Sequence, residues 1–169
     1  MSISLVGMPG SGKSTVGRNL ARRLGRPFHD SDHAIEQRIG CSIRDFFARE
    51  GEAAFRDIEE QVIGELAALP DAVLATGGGA VLRPANREHL RAGGHVIYLR
   101  SSPEDLFRRL RHDTQRPLLQ VADPLARLRQ MYAERDPLYR ETAHYVLETG
   151  RPSVATLVNM ILMQLDLAP

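Results

Sequence analysis

The chain has 169 residues, which suits one ordinary hydrophobic core and leaves no room for a second domain of usual size. Hydrophobic residues make up 43% and charged residues 25%, excluding a disordered or fibrous chain. Twenty-two basic against 21 acidic residues leave a net charge of +1, so neither a polynucleotide nor an anionic membrane is an expected partner.

The elements follow in chain order. Ile3 to Val6 is a short apolar run that reads as a buried strand; it is too short for a membrane span or a signal-peptide core. Because Met1 leads straight into it, a cytoplasmic location without a targeting segment is expected. The single cysteine, Cys41, excludes an internal disulfide and fits a reducing compartment.

After a glycine-rich turn, Val16, Leu20 and Leu24 repeat every four residues and predict a helix that Gly25 ends. Phe28-His29-Asp30 reads as a second strand leading into a helix from Asp32, and Ser42 with Asp45 predicts the start of another. Phe55, Ile58, Val62, Leu66 and Leu69 fit a long helix that Pro70 stops.

Ala72 to Thr76 is a third strand running into Gly77-Gly78-Gly79. Pro84 to Ala92 reads as a helix, and His95 to Leu99 as a fourth strand. Ser102-Pro103-Glu104-Asp105 predicts a helix start, with a capping hydroxyl, proline at the first helical position and two carboxylates at the positive dipole end. The segment 111–124 has weak periodicity and reads as a mobile lid. A helix, a fifth strand at His144 to Leu147 and a last helix from about Ser153 complete the chain. Alternating apolar strands and amphipathic helices predict a single three-layer α/β/α domain over 1–169 with a parallel sheet.

Gly7-x-x-x-x-Gly12-Lys13-Ser14 is a full Walker A pattern, placed between a strand and a helix N-terminus as its mechanism requires. Its glycines let the backbone curl so that amides meet phosphate oxygens, and the helix dipole adds a favourable field. Gly10, Ser11, Gly12, Lys13, Ser14 and Thr15 are the expected nucleotide-binding set, with Lys13 reaching the β and γ phosphates and Ser14 ligating Mg²⁺. ATP is the expected co-substrate and Mg²⁺ the cofactor.

No aspartate ends the third or fourth strand, where many P-loop proteins carry a second metal-orienting carboxylate. Asp30 and Asp32, ending the second strand, are the candidate replacements, since open α/β sheets place active residues at the carboxyl ends of strands. Asp30 is assigned to the metal's water shell and Asp32 to an acceptor hydroxyl; Asp32 as a plain helix cap is the competing reading.

These landmarks, with Phe55-Arg56, Gly77 to Val81, Arg116-Pro117-Leu118-Leu119 and Pro137-Leu138-Tyr139-Arg140 in order, resemble the shikimate kinases of aromatic amino-acid biosynthesis. The resemblance runs from Ile3 to about Pro152 and implies a five-stranded sheet in the order 2-3-1-4-5. It implies a substrate-binding helical region at about 32–62 and transfer of the γ-phosphate of ATP to the 3-hydroxyl of shikimate. Asp32, Arg56, Gly77, Gly78, Gly79 and Arg140 would hold shikimate, and Arg109 and Arg151 would line the adenine. Arg116 is assigned to the lid, stabilising transition-state charge beside Lys13 and Asp32. The chemistry agrees, because a substrate with a carboxylate and ring hydroxyls needs guanidinium forks at one end and acceptors at the other. Phe47 and Phe55 suit either a wall for the ring or ordinary core. A monomer is expected. The rival readings are another P-loop small-molecule or nucleoside monophosphate kinase, and a nucleotide-binding module without turnover.

Overall fold

The computed structural model describes residues 1–110 and 121–166. Five parallel strands form one sheet: β1 (Ser2–Val6), β2 (Phe28–Asp30), β3 (Val73–Ala75), β4 (Gly94–Arg100) and β5 (Tyr145–Glu148), in the order β2-β3-β1-β4-β5. The helices between them are α1 (Lys13–Leu24), α2 (Ser31–Ile39), α3 (Ile43–Glu50), α4 (Glu52–Ala67), α5 (Pro84–Gly93), α6 (Pro103–Leu110), α7 (Pro124–Thr142) and α8 (Val154–Gln164).

Alternation along the strands divides the core between the two sheet faces. Ile3, Leu5, Ile97 and Leu99 pack on one side with Val16 and Leu20 of α1 and Leu157, Val158 and Ile161 of α8. Val6, Val96 and Tyr98 pack on the other with Ile63 of α4, Leu90 of α5, Leu106 of α6 and Leu128 and Met131 of α7. A third cluster, Ile35, Phe46, Phe55 and Val62, joins α2, α3 and α4 away from the sheet. This makes the expected helical region a small packing unit of its own.

Local signals set most of the boundaries. Ser42 Oγ accepts from the Asp45 amide, Asp123 caps α7, and Gly25 ends α1 in a left-handed conformation. Strand register then builds the site. Leu5 and Asp30 both lie beside Ala75, so β1, β2 and β3 end level and deliver the glycine-rich turn, Asp30 and Thr76 to one edge.

Candidate active site

The turn after β1 curls because Gly10 and Gly12 take φ of 83° and 93°, a region that L side chains enter only with strain. Gly12 precedes α1 with no side-chain cap, which leaves first-turn amides available to a ligand. Lys13, the only lysine in the chain, donates from Nζ to the carbonyls of Gly7 at 2.7 Å and Met8 at 2.9 Å. Gly10, Gly12, Lys13, Ser14 and Thr15 line a cavity of about 300 Å³ with Pro9, Asp30, Asp32, Thr76, Gly77 and Gly78. Ser11 does not line it, since its hydroxyl is buried and without a partner among the described residues.

The two aspartates divide their work by geometry. Asp30 caps α2, its Oδ1 accepting from the amides of Asp32 at 3.0 Å and His33 at 3.4 Å, while its Oδ2 accepts from Ser14 Oγ at 2.6 Å. Asp32 is therefore not the cap and faces the cavity. Its carboxyl is pushed up to about 6, first by burial and then by the charges of Asp30 and Glu59, against a lowering contribution from Lys13.

A second cavity of about 160 Å³ adjoins the first and shares Pro9, Asp32, Gly77 and Gly78 with it. Its remaining walls are Ile43, Phe55, Arg56, Glu59, Gly79 and Arg135. Arg56 is held from several sides: Nη1 donates to buried Glu59 at 2.8 Å, Nε lies 3.6 Å from Glu52, and the guanidinium sits 5.1 Å from the centre of the Phe55 ring. Burial raises the pKa of Glu59 while Arg56 opposes the shift.

None of Gly77, Gly78 and Gly79 needs positive φ. They supply clearance. A Cβ at Gly77 would lie 2.5 Å from Asp32 Oδ1, one at Gly78 2.6 Å from Pro9 Cδ, and one at Gly79 2.4 Å from both terminal nitrogens of Arg56. Each glycine thus lets a different element approach the same turn.

Arg140, expected as the second substrate cation, is not part of this cavity. It is exposed, and its Nε donates to Asp136 at 3.0 Å. Arg135 occupies that place instead. The inward face of α7 carries Leu128, Met131, Tyr139 and Thr142, and position 135 falls within this three-and-four spacing whereas 140 does not. Helical phase was the signal that would have found Arg135. Glu59 carried no comparable sequence signal, because its role arises only from burial beside Arg56.

Arg109 donates to the carbonyls of Gly10 at 3.2 Å and Thr149 at 3.1 Å and to Ser101 Oγ at 3.3 Å, tying the nucleotide turn to the ends of β4 and β5. Arg151 lies further out, in a separate cavity with Pro152, Tyr132 and Met160. Arg116 and most of the segment 111–124 lie outside the described residues. Among the described residues no helix is long and apolar enough to cross a membrane.

The shikimate kinase family model matches residues 9–166. A shikimate kinase of Paracidovorax citrulli is 66% identical over 171 aligned positions, covering 99% of this chain and 93% of that protein. One from Ralstonia nicotianae is 60% identical, covering 99% of this chain and 90% of that protein. Among solved structures, the shikimate kinase from Acinetobacter baumannii in complex with shikimate matches with a TM-score of 0.94 at 48% identity, over 97% of this chain and 92% of that one. Joined to a phosphate turn, a raised aspartate and two converging guanidinium groups at the same sheet edge, these matches establish that the chain belongs to the shikimate kinase family.

Proposed function

We propose that the chain transfers the γ-phosphate of ATP to the 3-hydroxyl of shikimate, giving shikimate 3-phosphate and ADP in the route to chorismate. The observation that carries this reading is the wall common to the two cavities. Asp32, Gly77 and Gly78 separate a phosphate-binding space from one lined by Arg56 and Arg135, so donor and acceptor would meet across Asp32.

The acceptor carboxylate suits the Arg56 and Arg135 end, and the ring hydroxyls suit Asp32. In the transfer, the acceptor oxygen forms a bond to the γ-phosphorus, the bond from that phosphorus to the β,γ-bridging oxygen breaks, and the hydroxyl proton passes to Asp32 and then to water. A carboxylate with a pKa of about 6 is ionised at neutral pH yet close enough to take that proton. Lys13 would leave the Gly7 and Met8 carbonyls for the phosphates, and Arg109 and Arg151 would flank the base. Arg116 is assigned to charge stabilisation from the lid.

Ser14 and Asp30 offer a hydroxyl and a carboxylate 2.6 Å apart at the phosphate cavity, hard oxygen donors that fit Mg²⁺. When bound, the ion neutralises phosphate charge. One chain supplies both cavities, so a monomer suffices, and the lone Cys41 suits the cytoplasm.

The test is a coupled ADP-release assay with shikimate, gluconate and nucleoside monophosphates as acceptors. Shikimate-dependent release is expected; activity confined to the other acceptors would overturn the assignment.

A further inference from the structure

Tyr139 is fully buried on α7, and its ring packs against Tyr98 at a centroid distance of 4.9 Å. Packing alone would be met equally well by phenylalanine. The hydroxyl has different company. It donates to the Gly78 carbonyl at 2.5 Å, and the Arg135 guanidinium, one turn earlier on the same helix, acts on it electrostatically and opposes the rise in its pKa that burial causes. The other charges that reach it are those of Arg56 and Glu59. All four neighbours are walls of the acceptor cavity.

We propose that Tyr139 is a positioning residue for the acceptor, its hydroxyl bridging the Gly78 carbonyl and Arg135 so that the glycine turn and one arm of the guanidinium clamp are fixed together. This rests on the acceptor reading given above. Burial pushes the phenol up to about 12, so it stays protonated and remains a donor across the working pH range. Gly78 in turn packs against Pro9 of the nucleotide turn, where only 2.6 Å would separate a Cβ from Pro9 Cδ. A turn held from the Tyr139 side therefore keeps its spacing to the phosphate cavity as well.

The bridge is a property of the hydroxyl alone, which makes it separable from core packing. Tyr139→Phe keeps the ring but leaves the Gly78 carbonyl unsatisfied and removes the hydroxyl on which Arg135 acts. Tyr98→Phe is the matched control: it also removes a buried phenol, but one that donates to Asp136 at 2.7 Å, outside the acceptor cavity.

Steady-state kinetics of the wild type and both variants test the proposal, varying shikimate and ATP in turn. Tyr139→Phe should raise KM for shikimate roughly 5–30-fold, as loss of a buried hydrogen bond would, with KM for ATP within about twofold. Tyr98→Phe should leave KM for shikimate unchanged. A competitive analogue of shikimate lacking the carboxylate should bind wild type and Tyr139→Phe equally, because the bridged arginine acts on that group. An unchanged KM for shikimate in Tyr139→Phe would overturn the proposal, as would an equal rise in both variants or equal weakening of the two ligands. Absence of shikimate turnover in the wild type would instead overturn the acceptor reading itself.

Discussion

Ser14 and Asp30 meet across 2.6 Å, and the carboxylate that receives the serine hydroxyl also caps α2 through its other oxygen. One side chain so links the phosphate turn to the second strand and releases Asp32, two residues on, from the capping duty that its position in the sequence suggested. The division of labour between the two aspartates is a matter of which oxygen points where.

Asp30→Ala should therefore show two separable defects. Loss of the cap should lower stability by about 1 kcal/mol, read as a fall in the thermal midpoint. Loss of the partner of Ser14 should raise the Mg²⁺ concentration for half-maximal activity by roughly 10-fold or more. A variant with the stability defect and an unchanged Mg²⁺ requirement would confine Asp30 to capping.

In the proposed reaction Asp32 governs the acid limb. Its pKa stands above its ordinary value of 3.8 at about 6, so kcat/KM for shikimate should fall as pH drops through about 6, as the carboxylate that receives the hydroxyl becomes protonated. The stability sign is opposite to that of a salt-bridged aspartate. The folded state binds the proton more tightly than the unfolded chain, so ionising Asp32 costs stability as pH rises from about 4 to about 6. Asp32→Asn should then unfold at the parent's temperature at pH 4 and be more stable at pH 8, by on the order of 2–3 kcal/mol, while turnover falls ~10²-fold or more. Paired melting curves at the two pH values check the first part, and wild-type turnover would refute the second.

The three glycines should fail in three different ways when changed to alanine. Gly77→Ala pushes on Asp32 and should lower kcat; Gly79→Ala pushes on Arg56 and should raise KM for shikimate, each by roughly 10-fold or more, with small effects on folding because a flexible side-chain end can move aside. Gly78→Ala meets the Pro9 ring, which cannot swing away, and should lower stability by about 1–3 kcal/mol. Initial rates and thermal midpoints for the three variants would show a single common defect if the turn needed glycine only for flexibility.

Arg135 and Arg140 provide the sharpest contrast. Arg135→Lys loses the planar fork in the acceptor cavity and should raise KM for shikimate by roughly 10-fold or more. Arg140→Lys should change KM by less than about twofold, because Arg140 is exposed and paired with Asp136 on another face of α7. Equal effects from the two substitutions would return Arg140 to the site.

Much of this molecule was legible locally. The Walker A spacing from Gly7 to Ser14, the Ser42 cap, the proline start of α6 and the short runs of the five strands depend on neighbours within a turn or two, and the structure reproduces them with edges shifted by a residue or so. The third strand is shorter than Ala72 to Thr76 suggested, spanning Val73–Ala75. Family resemblance added the strand order and the acceptor.

What local pattern and resemblance did not decide was convergence. Arg135 rather than Arg140 enters the cavity because α7 turns its Leu128, Met131 and Tyr139 face toward the sheet, and the phase of a helix is fixed by what it packs against. The triple glycine reads as a flexible turn until Asp32, Pro9 and Arg56, from three separate elements, are seen closing on it. Sequence therefore determined the nucleotide turn, whose geometry lies within eight consecutive residues. Only the tertiary structure decided the cavity assigned to the acceptor, because its members come from distant parts of the chain and are brought together by core packing alone.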